Sequence, residues 1–238
     1  MRKTLGIIGG MGPLATQVLY KRIIDRTEAS CDQEHLDMII LSHASIPDRT
    51  AAIRAGKTEE LFAMLLKDAK MLEENGAGVI AVPCNTSHYF WQPLQEQMGV
   101  PIIHMVRRTV ETIREKKPDI QKIGVLATDG TVFTGIYHQE CARLGIECVT
   151  PGAREQQLVM DIIYKQVKKG LDGSIEDFSA VDAYLKGQGC QAAVLACTEL
   201  SCFNETHRLS DFYVDALDVL CDEAITLCGG TLRRAYVL

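Results

Sequence analysis

Several things are missing from this chain of 238 residues. No apolar run approaches the roughly 20 residues of a membrane span, and Met1-Arg2-Lys3-Thr4 leads into a strand without the apolar core of a signal peptide. A cytoplasmic protein without membrane contact is expected. Basic clusters are also missing: 25 Lys and Arg stand against 31 Asp and Glu, a net charge of −6, so nothing neutralises a phosphate backbone and nucleic acid is excluded as a partner. Nine cysteines occur, but the number is odd and no Cys-x-x-Cys is present, which argues against a disulfide framework, a zinc ribbon or any metal site. Gly6-Ile7-Ile8-Gly9-Gly10-Met11-Gly12 follows a strand, yet its spacing is not G-x-G-x-x-G. The second strand ends at Ser42-His43 with no acid for a ribose, and no Gly-Lys-Ser or Gly-Lys-Thr occurs. A nucleotide cofactor is therefore not expected.

What is present is alternation. Short β-branched runs (5–8, 38–41, 79–82, 100–104, 122–126, 147–149, 192–196, 212–214) are separated by segments with apolar residues at helical spacing, and no hairpin signal intervenes. The pattern predicts an α/β protein. Residues 75–84 can be laid on 188–197 without a gap, an offset of 197 − 84 = 113, and His104 and Asp215 then fall at corresponding strand ends, 215 − 104 = 111. The order and spacing of elements agree over the whole chain. We therefore expect two pseudo-symmetric lobes, each a mainly parallel four-stranded sheet flanked by helices. Residues 1–103 with 215–238 form the first, 104–214 the second, and the active site lies in the cleft between them.

The stretch Val79 to His88 runs apolar up to Pro83-Cys84-Asn85-Thr86, and Ala192 to Leu200 ends its strand at Cys197. Both thiols stand at a strand-to-helix junction, where backbone N–H groups and a helix dipole favour thiolate over thiol. Taken singly, either cysteine reads as a small core residue. As a repeated pair at the carboxyl ends of parallel strands they read as a site. Two thiols facing one carbon acid can take a proton from one face and return it on the other, which inverts the stereocentre; one must be thiolate and one thiol.

Gly-Gly-Met-Gly-Pro at 9–13, Pro-Cys-Asn-Thr-Ser-His at 83–88 and Ala-Cys-Thr-Glu-Leu at 196–200 resemble the aspartate/glutamate racemase family, as do Pro-Asp-Arg-Thr at 47–50 and Leu-Ala-Thr-Asp-Gly-Thr at 126–131. The resemblance spans nearly the full length. It implies a cofactor-independent racemase, usually a homodimer, with Cys84 and Cys197 as the two bases and aspartate or glutamate as substrate. Family members with one cysteine are decarboxylases or isomerases, so the pair favours racemisation. Relatives acting on hydantoins or on a broader range of amino acids, and a two-lobed module that binds carboxylates without turnover, are the alternatives.

An acidic substrate needs cations. Arg49 can grip a carboxylate bidentately, although a loop arginine can equally sit in a surface ion pair; the family match selects the binding role. Lys165, among Lys168 and Lys169, would ordinarily belong to a solvated face, and only its match to a family lysine singles it out. Asn85, Thr86, Thr128, Thr131 and Thr198 can donate hydrogen bonds at helix N-termini, or serve as caps, or both. Met11 is assigned to the cleft wall. His88 reads equally as a structural histidine. Glu199, beside Cys197, would raise that thiol's pKa and oppose thiolate formation, so neither receives a catalytic role. The resemblance places histidine at the position of Glu199 in glutamate racemases, which argues against supply of cell-wall D-glutamate.

Overall fold

The computed structural model describes residues 2–234. The first half runs β1 (Thr4–Gly9), α1 (Pro13–Arg26), β2 (Met38–Ser42), α2 (Arg49–Arg54), α3 (Glu59–Glu74), β3 (Ala77–Ala81), a 3₁₀ turn (Thr86–Phe90), α4 (Trp91–Gln95) and α5 (Met105–Lys116). The second runs β4 (Lys122–Leu126), α6 (Asp129–Thr134), α7 (Ile136–Arg143), β5 (Glu147–Val149), α8 (Ala153–Met160), a π turn (Asp161–Gln166), α9 (Ile175–Gly187), β6 (Ala192–Leu195), α10 (Thr198–His207), β7 (Tyr213–Asp215) and α11 (Ala216–Leu227).

Every strand pairing is parallel, in two sheets ordered β2-β1-β3 and β5-β4-β6-β7. Sheets covered by helices on both faces use strands that are apolar throughout, and Leu5, Ile7 and Ile8 of β1 and the whole of β6 are without exposure. The expected fourth strand of the first sheet, 100–104, is reduced to one bridge, Ile80 to Ile102. Pro101 has no N–H to extend the ladder. The Ile102 N–H donates instead to Gln95 Oε1 at 2.7 Å, and its carbonyl accepts from Trp91 Nε1 at 2.8 Å.

One apolar cluster joins the halves: Leu5, Ile7 and Val79 of the first sheet pack with Ile123, Val125 and Val194 of the second and with α5 and α11. Separate clusters lie behind each sheet, around Ile8, Leu65 and Ile80 in one case and Leu126, Ile162 and Phe203 in the other. At two glycines the loops at the carboxyl ends of the strands come close. Gly10 has φ +89°, and a Cβ there would stand 2.5 Å from the His43 carbonyl carbon; a Cβ on Gly130 of α6 would stand 2.7 Å from Thr50 Oγ1 of α2. Only glycine permits both approaches, and the second brings the two halves together beside the site.

Candidate active site

Cys84 and Cys197 line one cavity, each on a loop that leaves the carboxyl end of its strand. Its free room is about 20 Å³, close to that of one water molecule. Around it stand Met11, Asp48, Arg49, Thr50, Asn85, Thr86, Thr128, Tyr164, Lys168, Thr198 and Glu199. A larger cavity of about 470 Å³ adjoins it, and Asp48, Arg49, Lys168 and Glu199 face both spaces. These four side chains form the partition between vestibule and thiols.

The two thiols differ in surroundings. Cys197 caps α10, a true helix of ten residues, and its Sγ lies 2.9 Å from Glu199 Oε2 as the donor. Burial first, and then the Glu199 charge, push this thiol well above its ordinary pKa, with Lys168 pulling the other way. Cys84 stands one residue ahead of Asn85, the N-cap of a five-residue 3₁₀ turn, so the helix dipole expected on its side is weak. The positive charge there comes from Arg49. Burial works against that guanidinium's charge, but Cys84 and Asp48 outweigh it and hold its pKa raised. Lys168 is likewise raised against its burial, by Glu199 and Cys197, and its Nζ donates to Glu199 Oε1.

Two buried donors in the cavity wall, Arg49 Nε and Asn85 Nδ2, have no hydrogen-bond partner among the described residues. Arg49 spends its terminal nitrogens on the carbonyls of Pro47 at 3.1 Å and Met11 at 3.3 Å, which fixes the guanidinium while leaving Nε free. Asn85 is fixed from behind, its Oδ1 accepting from Tyr137 Oη at 2.6 Å. Buried donors without acceptors are rare, and a carboxylate in the cavity would satisfy both. Thr86 Oγ1 lies 2.8 Å from Thr131 Oγ1 and 3.1 Å from Thr128 Oγ1, tying the 3₁₀ turn to α6 across the two halves.

Of the residues expected from the sequence, Met11, Arg49, Cys84, Asn85, Thr86, Thr128, Cys197 and Thr198 meet at this cavity. Thr131 stands behind Thr86, with its N–H donating to Thr128 Oγ1 at 3.4 Å. Lys165 does not reach it: its side chain is 64% exposed and ion-paired with Asp161 at 2.8 Å. Lys168 lines the cavity instead. Lys165 belongs to the π turn over Asp161–Gln166 and Lys168 to the 3₁₀ turn Val167–Lys169 that follows it; the family match that singled out Lys165 carried no information on which lysine faces the cavity. Sequence reasoning also passed over Asp48, Thr50 and Tyr164. Tyr164 Oη donates to Asp48 Oδ2 at 3.0 Å, and Asp48 caps α2 through the Ala51 N–H at 2.8 Å. The cap pattern at Asp48 was the one available signal.

His88 is structural. Its Nε2 accepts from the Met105 N–H at 3.1 Å and its Nδ1 donates to the Cys84 carbonyl at 2.9 Å; burial lowers its pKa, so the ring is neutral. Among the described residues no group of three or more His, Cys, Asp or Glu is arranged to hold a metal ion, and no helix is long and apolar enough to cross a membrane.

The fold recurs in a Picrophilus torridus aspartate racemase (TM-score 0.81, 27% identity, 98% of this chain and 97% of that one). It recurs again in a Yersinia pestis protein titled a putative Asp/Glu racemase (TM-score 0.80, 26% identity, 95% and 99%). In sequence the chain is 32% identical over 149 residues to the broad specificity amino-acid racemase RacX of Bacillus subtilis, an alignment spanning 61% of this chain and 63% of that relative. Relatives on both sides are amino-acid racemases, a class of isomerase. The sequence pattern of the Asp/Glu/Hydantoin racemase family matches residues 8–224, and the chain belongs to that family.

Proposed function

We propose that the chain racemises an amino acid at its α-carbon with Cys84 and Cys197 as the two bases. The observation that carries this is their convergence on one cavity that also holds the unpartnered donors Arg49 Nε and Asn85 Nδ2. In the resting state Cys197 keeps its proton, directed at Glu199, and Cys84, beside Arg49, is assigned as the abstracting base. Cys84 takes the α-proton from one face and Cys197 delivers its own to the other; the reverse direction exchanges the roles. Negative charge developing on the substrate carboxylate meets Arg49, Asn85 and the Thr198 end of α10, donors set in place before the reaction. No protein group is consumed, and the expectation that no cofactor takes part accompanies this reading.

The resting cavity is too small for an amino acid, so entry from the vestibule requires Arg49 and Lys168 to part. Aspartate and glutamate lead the candidates because two cations, Arg49 and Lys168, face the cavity. The RacX likeness supports the broader range as second reading. A panel of amino acids in both enantiomeric forms, incubated in D₂O, tests the proposal: deuterium enters the α-position together with inversion. Binding of carboxylates without exchange would replace it with the non-catalytic module. With the racemase reading we also carry the lobes at 1–103 with 215–238 and 104–214, a cytoplasmic location, and a homodimer that light scattering would verify; positions 1 and 235–238 lie outside the described residues.

A further inference from the structure

The 113-residue offset that lays Cys84 on Cys197 also lays His88 on Ser201, since 201 − 88 = 113. The two residues share no chemistry, yet both connect a cysteine's backbone to the segment that opens the next long helix. The His88 N–H donates to the Asn85 carbonyl at 3.0 Å. Its ring joins the Cys84 carbonyl to the Met105 N–H, the first residue of α5. A neutral imidazole has one donor and one acceptor, so both are engaged. In the other half the Cys197 carbonyl accepts from the N–H groups of Leu200 at 2.9 Å and Ser201 at 3.3 Å. Ser201 Oγ then donates to Asp215 Oδ1 at 2.6 Å, and Asp215 caps α11 through the Leu217 N–H at 2.9 Å.

Asp215 is held in turn by Arg22 of α1, whose Nη1 lies 2.7 Å from Oδ2 while Nη2 donates to the Ser201 carbonyl at 3.3 Å. Helix α1 begins directly after Met11-Gly12, so the arginine relates the loop at one side of the cavity to the helix at the other. Ser201 and Asp215 are buried, and the Arg22 side chain is nearly so. Such a network fixes the first turn of α10, and with it the Cys197 sulfur, to the frame of the first half.

We propose that His88 and the Ser201–Asp215–Arg22 relay are positioning residues, each holding the thiol of its own half in register with the other. This rests on the two-thiol reading above. Neither touches the cavity, so removing one leaves substrate binding intact and displaces one sulfur. A displacement of an ångström costs about 10²-fold in rate, and partial loosening costs less.

The test uses Ser201→Ala, which deletes one oxygen, and His88→Gln. Iodoacetamide labelling of each cysteine is followed by peptide mass spectrometry, alongside racemisation kinetics on whichever amino acid the parent exchanges fastest. Ser201→Ala is expected to change the labelling rate of Cys197 by about threefold or more, leave Cys84 within about twofold, and lower kcat about tenfold with KM within about twofold. His88→Gln is expected to do the reverse for the two thiols. Should His88→Gln fail to fold, Ser201→Ala alone decides. Equal shifts at both thiols, or an unchanged kcat, overturn the proposal in an active parent. A parent that exchanges no amino acid overturns the racemase reading and this one with it.

Discussion

The two strand ends that carry Cys84 and Cys197 occupy equivalent places in parallel sheets and differ in nearly everything around the sulfur. Cys197 caps a full α-helix and lies against a carboxylate; Cys84 precedes Asn85, the cap of a short 3₁₀ turn, and faces a guanidinium. If local backbone alone set the thiol state, Cys197 would be the better thiolate, since it has the stronger helix dipole. Burial and Glu199 win instead and hold its pKa up. The symmetrical scaffold thus carries an unsymmetrical pair, which suits the proposed removal of a proton from one face and delivery of another to the opposite face.

Removing each sulfur in turn probes this division of labour most severely. Cys84→Ser and Cys197→Ser are each expected to lower racemisation by about 10³-fold or more, because either loss stops inversion. A variant of one cysteine retaining within tenfold of parental activity would remove that residue from the mechanism. Arg49→Met comes next. Losing a charge-assisted contact to the substrate carboxylate, worth about 1.5–3 kcal/mol, lowers kcat/KM by roughly 10–150-fold. Arg49→Lys keeps charge but not the fork geometry and should recover only part of it.

The symmetry was plain in the sequence, and so was Glu199 two residues beyond Cys197; the rest of the asymmetry was not. Parallel strands announce themselves as unbroken apolar runs, and β4 at Lys122–Leu126 falls where the pattern put it. The Cys84 and Cys197 motifs were readable because both follow such strands directly. What surrounds them depends on side chains from distant elements: Tyr164 reaches Asp48 across 116 residues, and no local pattern encodes that. The failed fourth strand has a readable cause in Pro101, because a residue without an N–H cannot donate to a ladder wherever it stands.

Glu199 gives the Cys197 side a pH handle of its own. Glu199→Gln removes the negative charge beside Cys197, so the basic limb of the kcat/KM profile, which reports the thiol acid of the free enzyme, should move to lower pH. An unmoved limb would assign the raised pKa to burial alone. For stability, His88 and His104 are both lowered by burial, His104 to about 4. A depressed histidine contributes stability that is present above its unfolded pKa, about 6.5, and lost as pH falls. Asp215 is raised by burial, against the pull of Arg22, and so penalises the fold as pH rises through its folded value. Urea midpoints should therefore decline from about pH 6.5 downward, with at most about 1.4 kcal/mol per pH unit from each histidine. His88→Gln should flatten that slope.

The mildest contrast is between two lysines three residues apart. Lys165 is solvent-exposed on Asp161 in an i, i+4 pair, the kind worth about 0.3–0.5 kcal/mol, so Lys165→Ala should leave kcat/KM within about twofold and stability nearly unchanged. Lys168 offsets Glu199 at the cavity wall and is the one lysine facing it among the described residues. Its replacement by methionine leaves a buried carboxylate beside Cys197 without its cation, which costs more than the loss of a surface pair. The two lysines lie in successive turns of different winding, Lys165 in the π turn and Lys168 in the 3₁₀ turn after it. Deleting one residue within Asp161–Gln166 to restore α-helical phase should reverse the ranking of the two lysines in kcat/KM; if Lys165→Ala is the more damaging change in the unaltered chain, the inward lysine has been misplaced and the family match at 165 stands.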